Sequence, residues 1–409
     1  MGLNIKWFQK AICLNIRFFI LYNMSVAAIH DNSLQTMRTR PNPNGLSGSA
    51  FRASCHKTNI IHFEALGPEA GHLEEETKAA IKRGEFPASH SYFLTPLTVQ
   101  DFLRENPQTT LPELISIKTH SKIPPEYISS GNRKSIITRS AGYDHLEHLA
   151  NAANIASLRE YCVNAVAQTA TKFMYACAGR LNEYSNRAQT LSRDAPAFME
   201  LGLHRILTVF GVGKIGKRIC ELAQANGLTV QGVDIMEEEL LELCGAAINF
   251  VSKEEALMSS DIIVNAMSLT RAENSKFFNA GYFSRECLSR AKDGLIFINV
   301  TRGEIAPESV LLDLYSSGKL GGIGLDVFTD ESEFAKIVKG EAKTENPDLL
   351  AAHKLVEMSL GKSANIYVQP HQGFNSDVAS KAKAKEAIRH VVSFYKNNGQ
   401  RFDEQLPYY

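Results

Sequence analysis

The stretch Ile206-Leu-Thr-Val-Phe-Gly-Val-Gly-Lys-Ile-Gly-Lys217 sets Gly211, Gly213 and Gly216 between an apolar β-branched run and a run of helical character. With that strand before and helix after, the arrangement reads as a dinucleotide site. The first glycine permits a tight turn, the second lets backbone approach a pyrophosphate, and the third lets helix pack closely on strand, so an anion meets free N–H groups at a helix N-terminus. The next apolar run, Leu228-Thr-Val-Gln-Gly-Val-Asp234, ends on an acid eighteen residues past Gly216. A carboxylate there accepts hydrogen bonds from both ribose hydroxyls of an adenosine and repels a 2′-phosphate, so the pattern predicts a site for NAD rather than NADP. A glycine-rich turn without function is the alternative. The strand before, the helix after and the acid at the correct distance disfavour it.

Periodicity extends the pattern along the chain. It predicts strands at 58–63, 114–119 and 135–139, a polar helix at 71–82, and a long Ala-rich helix at 160–181. Strand 206–210, helix 214–225, strand 229–233 and a helix from 236 follow, then strands at 262–265, 295–300, 322–328 and 365–368. Repeated βαβ units with apolar strands imply parallel sheets covered on both faces. The helix at 377–395 has no strand left to feed and is expected to return to the first domain. A domain's worth of chain precedes the glycine loop, so the cofactor domain is inserted in the other one or follows it. The fold expected is two-domain α/β: a Rossmann-type doubly wound NAD domain at 157–371, and a smaller flavodoxin-like substrate domain at 58–156 plus 372–409.

Forty-four basic residues balance forty-four acidic ones, so no whole-chain field recruits nucleic acid or a membrane surface. Seven scattered cysteines (Cys13, Cys55, Cys162, Cys177, Cys220, Cys244, Cys287) form no CxxC pair. That suits a reducing compartment and argues against structural zinc or a disulfide framework. Residues 1–57 read as a disordered extension, with 42–54 a linker rich in Pro, Asn, Gly and Ser. Lys6, Lys10, Arg17 and the apolar 18–22 leave a targeting peptide as the other reading, and no run reaches the roughly 18–20 apolar residues that span a bilayer. The location expected is cytoplasmic, with mitochondrial targeting by the extension as the alternative.

Three strand ends carry polar residues suited to hydride transfer on an α-hydroxy acid. Arg302 follows Ile298-Asn-Val-Thr, Glu331 follows Ile323-Gly-Leu-Asp-Val-Phe328, and His371 ends Ile366-Tyr-Val-Gln-Pro-His371. Ligands of open α/β sheets bind at the carboxyl ends of the strands, which is where all three fall. A guanidinium can clamp a carboxylate and a carbonyl together, and an imidazole beside a carboxylate is a natural acid/base. Singly, each has a duller reading: a loop cation, a solvated acid, a satisfied core histidine. Jointly, downstream of an NAD loop, they favour chemistry.

The blocks Val209-Phe-Gly-Val-Gly-Lys-Ile-Gly216, Asn299-Val-Thr-Arg-Gly-Glu304, Ser317-Gly-Lys-Leu-Gly-Gly-Ile-Gly-Leu-Asp-Val-Phe328 and Pro370-His371 resemble the signatures of the D-isomer-specific 2-hydroxyacid dehydrogenases, nearest the D-lactate enzymes. The resemblance covers residues 58–395. It implies a catalytic triad of Arg302, Glu331 and His371, with Asp326 near the nicotinamide carboxamide. It assigns the cofactor to Gly211, Val212, Gly213, Lys214, Ile215, Gly216, Asp234 and Thr301. Thr138-Arg-Ser-Ala-Gly-Tyr-Asp144 is similar to the family's substrate loop, which implies that Ser140, Ala141 and Gly142 meet the substrate carboxylate. It further implies a small 2-hydroxy or 2-keto acid substrate, Phe374 facing a small apolar tail, no metal, and a homodimer formed through the cofactor domain, with the 160–181 helix as a candidate contact.

The sequence departs from the pattern in places. Fifteen residues separate Asp144 from Glu160, short for the strand and loop the family fits there. Asn265-Ala-Met-Ser-Leu-Thr270 replaces the usual His-Val-Pro-Leu-Thr, and residues 334–362 form a charged insertion expected to be a solvated excursion, with a lid edge or an oligomer contact as alternatives. The competing function is an NAD(H)-sensing binding protein or corepressor of the same fold. A formate dehydrogenase-like reading is disfavoured, because that branch carries glutamine where Glu331 stands.

Overall fold

Short aliphatic runs alternating with helices produce two all-parallel sheets in the computed structural model, which describes residues 58–244 and 248–408. The expected extension, linker and targeting segment lie outside the described residues, as do Cys13 and Cys55.

The first sheet holds β1 (Ile60–His62), β2 (Tyr92–Leu94), β3 (Leu114–Ile117), β4 (Ser135–Thr138) and β5 (Asn154–Ser157) in the order β2-β1-β3-β4-β5. Every neighbouring pair is parallel. That is the flavodoxin-like order. The short 144–160 segment, whose topology the sequence left open, holds both β5 and a 3₁₀ turn, Glu147–Leu149. The strand lacks an apolar signature because Asn154 is buried at its start. The Asn154 amide donates to Ser135 Oγ at 3.1 Å and to the Gln400 carbonyl at 2.7 Å, which satisfies a polar group in the core.

The second sheet holds β6 (Ile206–Phe210), β7 (Thr229–Val233), β8 (Asn249–Phe250), β9 (Ile262–Asn265), β10 (Leu295–Asn299), β11 (Leu320–Leu325) and β12 (Ile366–Val368), ordered β12-β11-β10-β9-β6-β7-β8. Sequence order reverses between β6 and β9, which pair in parallel with Phe210 opposite Asn265. A doubly wound sheet opens its ligand crevice at such a switch point.

The expected helix at 160–181 is Val163–Ala178, followed after a left-handed Arg180 (φ +48°) by a separate helix, Leu181–Arg187. Its Val166, Ala170, Phe173 and Cys177 pack in one core with Val209, Ile262 and Ile298. The C-terminal helix Ala379–Lys396 buries Ala384, Ala387, Ile388 and Val391 against Ile60, Leu73, Leu114 and Ile137, so it covers the first sheet.

The charged insertion is not a solvated excursion. It folds into helices Glu331–Val338 and Pro347–Leu360, and Phe334, Leu349, Ala352 and Leu355 join the core of Leu311, Ile323 and Ile366. Successive parallel strands need a crossover of a dozen or more residues, and this segment supplies the one from β11 to β12. Its exposed lysines and glutamates hide the buried stripe. Among the described residues no helix is long and apolar enough to cross a membrane, and no cluster of three or more His, Cys, Asp or Glu side chains could hold a metal. Cys162, Cys177, Cys220 and Cys287 are buried and form no disulfide among the described residues.

Candidate active site

At the switch point the three glycines differ in their surroundings. Gly211 takes φ +88°, and a Cβ there would stand 2.6 Å from the Met267 nitrogen, so the turn lies against the chain leaving β9. At Gly216 a Cβ would collide with the Gly211 carbonyl oxygen. Gly213 has nothing within 4 Å of that position and is the N-cap of the helix Lys214–Ala225, which has no side-chain cap. Open space before uncapped N–H groups is what a pyrophosphate requires.

Asp234 accepts from the Val212 N–H at 2.7 Å and the Met236 N–H at 2.9 Å, tying the end of β7 to the turn. The side chain of Val212 is buried, Ile215 packs on the same core, and Lys214 pairs through Nζ with Glu160. Asn265, where the family pattern was broken, is wholly buried. Its amide donates to Asn299 Oδ1 at 3.0 Å and Thr301 Oγ1 at 2.9 Å, joining the ends of β9 and β10. The sequence reading gave Asn265 and Asn299 no role, because nothing local reveals that they meet.

Arg302 leaves β10 in extended conformation. Its Nε and Nη2 donate to Asp144 Oδ1 at 3.2 and 2.9 Å, and its Nη1 to the Thr301 carbonyl at 2.9 Å. It lies directly on the 140–142 loop: a Cβ at Gly142 would collide with Nη2 and stand 2.9 Å from Cζ. In that loop Ser140 Oγ donates to the Gly142 carbonyl at 2.6 Å, and Ala141 packs against the core of the second sheet. Asp144 also takes Arg271 Nη1 at 3.0 Å, and Arg271 Nη2 reaches Glu304 at 2.6 Å. Burial alone would raise the Asp144 carboxyl; Arg302 and Arg271 outweigh it and hold the group below the usual carboxylate range. The ion-pair network was missed in the sequence, although Asp144 ends the quoted loop and Arg271 follows the divergent segment.

His371 Nδ1 lies 2.7 Å from Glu331 Oε2. Glu331 opens the helix Glu331–Val338, and its Oε1 accepts from the Phe328 N–H at 3.2 Å. The segment leading to Glu331 abuts Arg302's neighbour: a Cβ at Gly303 would stand 2.7 Å from Phe328 Cα. Thus the ends of β10, β11 and β12 bring the three expected side chains to one edge of the sheet. His371 itself is left-handed (φ +49°), a conformation that costs a non-glycine residue on the order of 1 kcal/mol. It is held by its N–H, which donates to the Asp326 carbonyl at 2.6 Å. The nearly inaccessible Asp326 carboxylate accepts from Gln369 Nε2 (2.6 Å), the Gln372 N–H (2.8 Å) and the Gly373 N–H (2.9 Å). Burial raises its pKa against those hydrogen bonds. Asp326 therefore braces the turn that carries the imidazole. Phe374 stands edge-on to His371, with centroids 6.2 Å apart.

Residues 171–373 match the D-isomer specific 2-hydroxyacid dehydrogenase NAD binding domain. The chain is 24% identical over 276 residues to the D-lactate dehydrogenase of Lactiplantibacillus plantarum, covering 66% of this chain and 76% of that one. It is 32% identical over 193 residues to the D-3-phosphoglycerate dehydrogenase of Bacillus subtilis, 47% of this chain and 31% of that one. The crystal structure of the D-lactate dehydrogenase from Aquifex aeolicus complexed with NAD and lactic acid shares the fold, with a TM-score of 0.65 at 24% identity over 83% of this chain and 96% of that one. The chain belongs to the D-isomer-specific 2-hydroxyacid dehydrogenase family. Its cofactor is NAD, and the open space at Gly213 before an uncapped helix fits that group.

Proposed function

We propose that this protein interconverts a small D-2-hydroxy acid and its 2-keto acid. His371 is the acid/base, Glu331 positions it, and Arg302 with the backbone of Ser140, Ala141 and Gly142 holds the substrate carboxylate. The 2.7 Å His371–Glu331 pair carries the reading. A carboxylate on Nδ1 fixes the proton there and leaves Nε2 to exchange one with the substrate oxygen. Arg302 uses Nε–H and one N–H on each Nη for protein partners. One N–H remains on each Nη, the pair a carboxylate engages in a two-pronged contact.

Bound NAD supplies or accepts the hydride. Gly211, Gly213 and Gly216, with Val212 lining the turn and the N–H groups of Lys214 and Ile215, would hold its pyrophosphate, Asp234 the adenosine ribose, and Thr301 and the braced Asp326 turn the nicotinamide side. For this purpose the chain divides into 58–156 plus 372–409 and 157–371. Buried cysteines outside any disulfide support a reducing, cytoplasmic setting. Tyr175, Leu181, Leu191, Phe198 and Leu203 are exposed along one stretch of the cofactor half, which supports a homodimer through it; a monomer mass in sedimentation would remove that assignment.

The test of function is NADH oxidation against a panel of 2-keto acids. His371→Ala is expected to lose roughly 10²–10⁴-fold in kcat while still binding NADH. Full turnover in that variant would take His371 out of the mechanism. Tight NADH binding with no turnover on any panel member would make the protein a dinucleotide sensor instead.

A further inference from the structure

Lys383 sits in the first turns of the helix Ala379–Lys396, directly after the turn that carries His371. It is 7% exposed, yet its ammonium meets no carboxylate within 4.0 Å and no hydrogen-bond partner among the described residues. Instead Nζ lies 4.8 Å from the ring centre of Tyr161 and 4.9 Å from that of Phe374, the ring edge-on to His371. The expected small apolar face at Phe374 thus has a cation on it.

The acids around it are already taken: Glu386, one turn along the same helix, accepts from the Glu160 and Tyr161 N–H groups. Glu69 accepts from Arg139 Nε at 2.8 Å and pairs with Lys118 Nζ at 2.5 Å. Arg139 directs its remaining nitrogens to Ser116 Oγ and the Phe63 carbonyl. Nearby Glu64 is held by the Lys118 N–H, Ser121 and His120. Three cations therefore share one carboxylate, and a buried charge is stable only when something compensates it. The position of the excess is telling. Lys118 and Arg139 follow the carboxyl ends of β3 and β4, and Arg139 is one residue before the 140–142 loop on which Arg302 lies. Lys383 feels the charge of Arg139, one residue before the candidate carboxylate loop, and its ammonium lies over the ring beside the imidazole.

We propose that Lys383 is a specificity residue for the far end of the substrate, its ammonium with the Tyr161 and Phe374 rings receiving a second anionic group, carboxylate or phosphate, on the tail of the 2-keto acid. This rests on the dehydrogenase reading and narrows it to tail-anionic substrates. Burial pushes the Lys383 amine down to about 8, with Lys118 and Arg139 adding to the shift and Glu69 opposing it; the neighbouring Cys162 thiol, raised to about 12, stays neutral. The amine is still largely protonated at pH 7 and loses its proton through pH 8, so KM for a tail-anionic substrate rises there.

The experiment compares NADH-linked reduction of 2-oxobutyrate, 2-oxoglutarate and 3-phosphohydroxypyruvate by the full chain and by Lys383→Met and Lys383→Arg. In the wild type, kcat/KM for one of the anionic-tail acids is expected to exceed that for 2-oxobutyrate at least tenfold, and the better of the two identifies carboxylate or phosphate. Lys383→Met reduces that ratio tenfold or more, through KM, and Lys383→Arg restores much of it. Thermal protection of the protein by the preferred acid is lost in parallel in Lys383→Met, a readout that needs no turnover. A wild type that prefers 2-oxobutyrate, or a Lys383→Met ratio equal to that of the wild type, overturns the subsite and leaves the dehydrogenase reading standing. Lys383-dependent protection without turnover of any acid does the reverse.

Discussion

At the residue scale, what decides the site is how few groups are free to do anything else. The imidazole of His371 is held at Nδ1 by Glu331, its backbone by Asp326, and Asp326 in turn by three donors from residues 369–373. Types and chain positions of Arg302, Glu331 and His371 were legible, because strand ends are marked by the apolar runs before them. Asp144 as the partner of Arg302 was not, since 158 residues separate the two and no local pattern encodes a contact. Gly216 gives a sharp test at this scale. A methyl there would strike the Gly211 carbonyl, which is backbone and cannot swing aside. Overpacking of this sort costs about 1–3 kcal/mol. Gly216→Ala is expected to melt at a lower temperature and to bind NADH about tenfold more weakly, since a tenfold change in affinity is about 1.4 kcal/mol. An unchanged dissociation constant in a fluorescence titration would separate the turn from the cofactor.

At the element scale, legibility followed the length and purity of the apolar run. Strands β6, β7 and β9 and the helix Lys214–Ala225 fall at the residues the periodicity marks. Strands β2 and β5 were missed for different reasons: Tyr92–Leu94 is three residues long and half-buried throughout, and Asn154–Ser157 begins and ends on polar residues. The helix Pro347–Leu360 was misread from its charge. Leu349, Ala352 and Leu355 recur at helical spacing and are buried, while Leu350 and Lys354 between them are exposed. Topology supplies what hydropathy obscured, for β12 can lie parallel to β11 only across a connection of about a dozen residues or more, and such crossovers are usually helical.

At the scale of the molecule, the first sheet and its covering helix bury ionisable groups that set its response to acid. Burial lowers His90 and His390 each to about 4, and lowers His62, to which Arg139 and His90 add. A histidine depressed from 6.5 to 4 contributes stability that is complete above pH 6.5 and is lost as the pH falls toward 4, because the unfolded chain takes up the proton first. At 1.36 kcal/mol per unit, that is about 3 kcal/mol for each of the two. Glu308, buried and pushed up to about 7, acts in the opposite sense over much of the same window, so a difference measurement isolates the histidine. His90→Gln, which keeps a polar group facing the Tyr395 hydroxyl, is expected to lose less stability than the wild type between pH 6.5 and pH 4. Parallel urea-midpoint curves for the two proteins would show that His90 does not carry the effect.

Read alone, the sequence determined the class of fold, the dinucleotide turn and the residues marking three strand ends. Each is written in a contiguous run of backbone-sized rules: period two in strands, about 3.6 residues per turn in helices, and glycine where a Cβ cannot go. Only the tertiary structure decided which of those ends meet, that Asp144 and Arg271 join Arg302, that Asn265 closes on Asn299, and that Lys383 stands beside Phe374 with no carboxylate in contact. Charge pairing and burial depend on distances through space, and chain separation does not encode them.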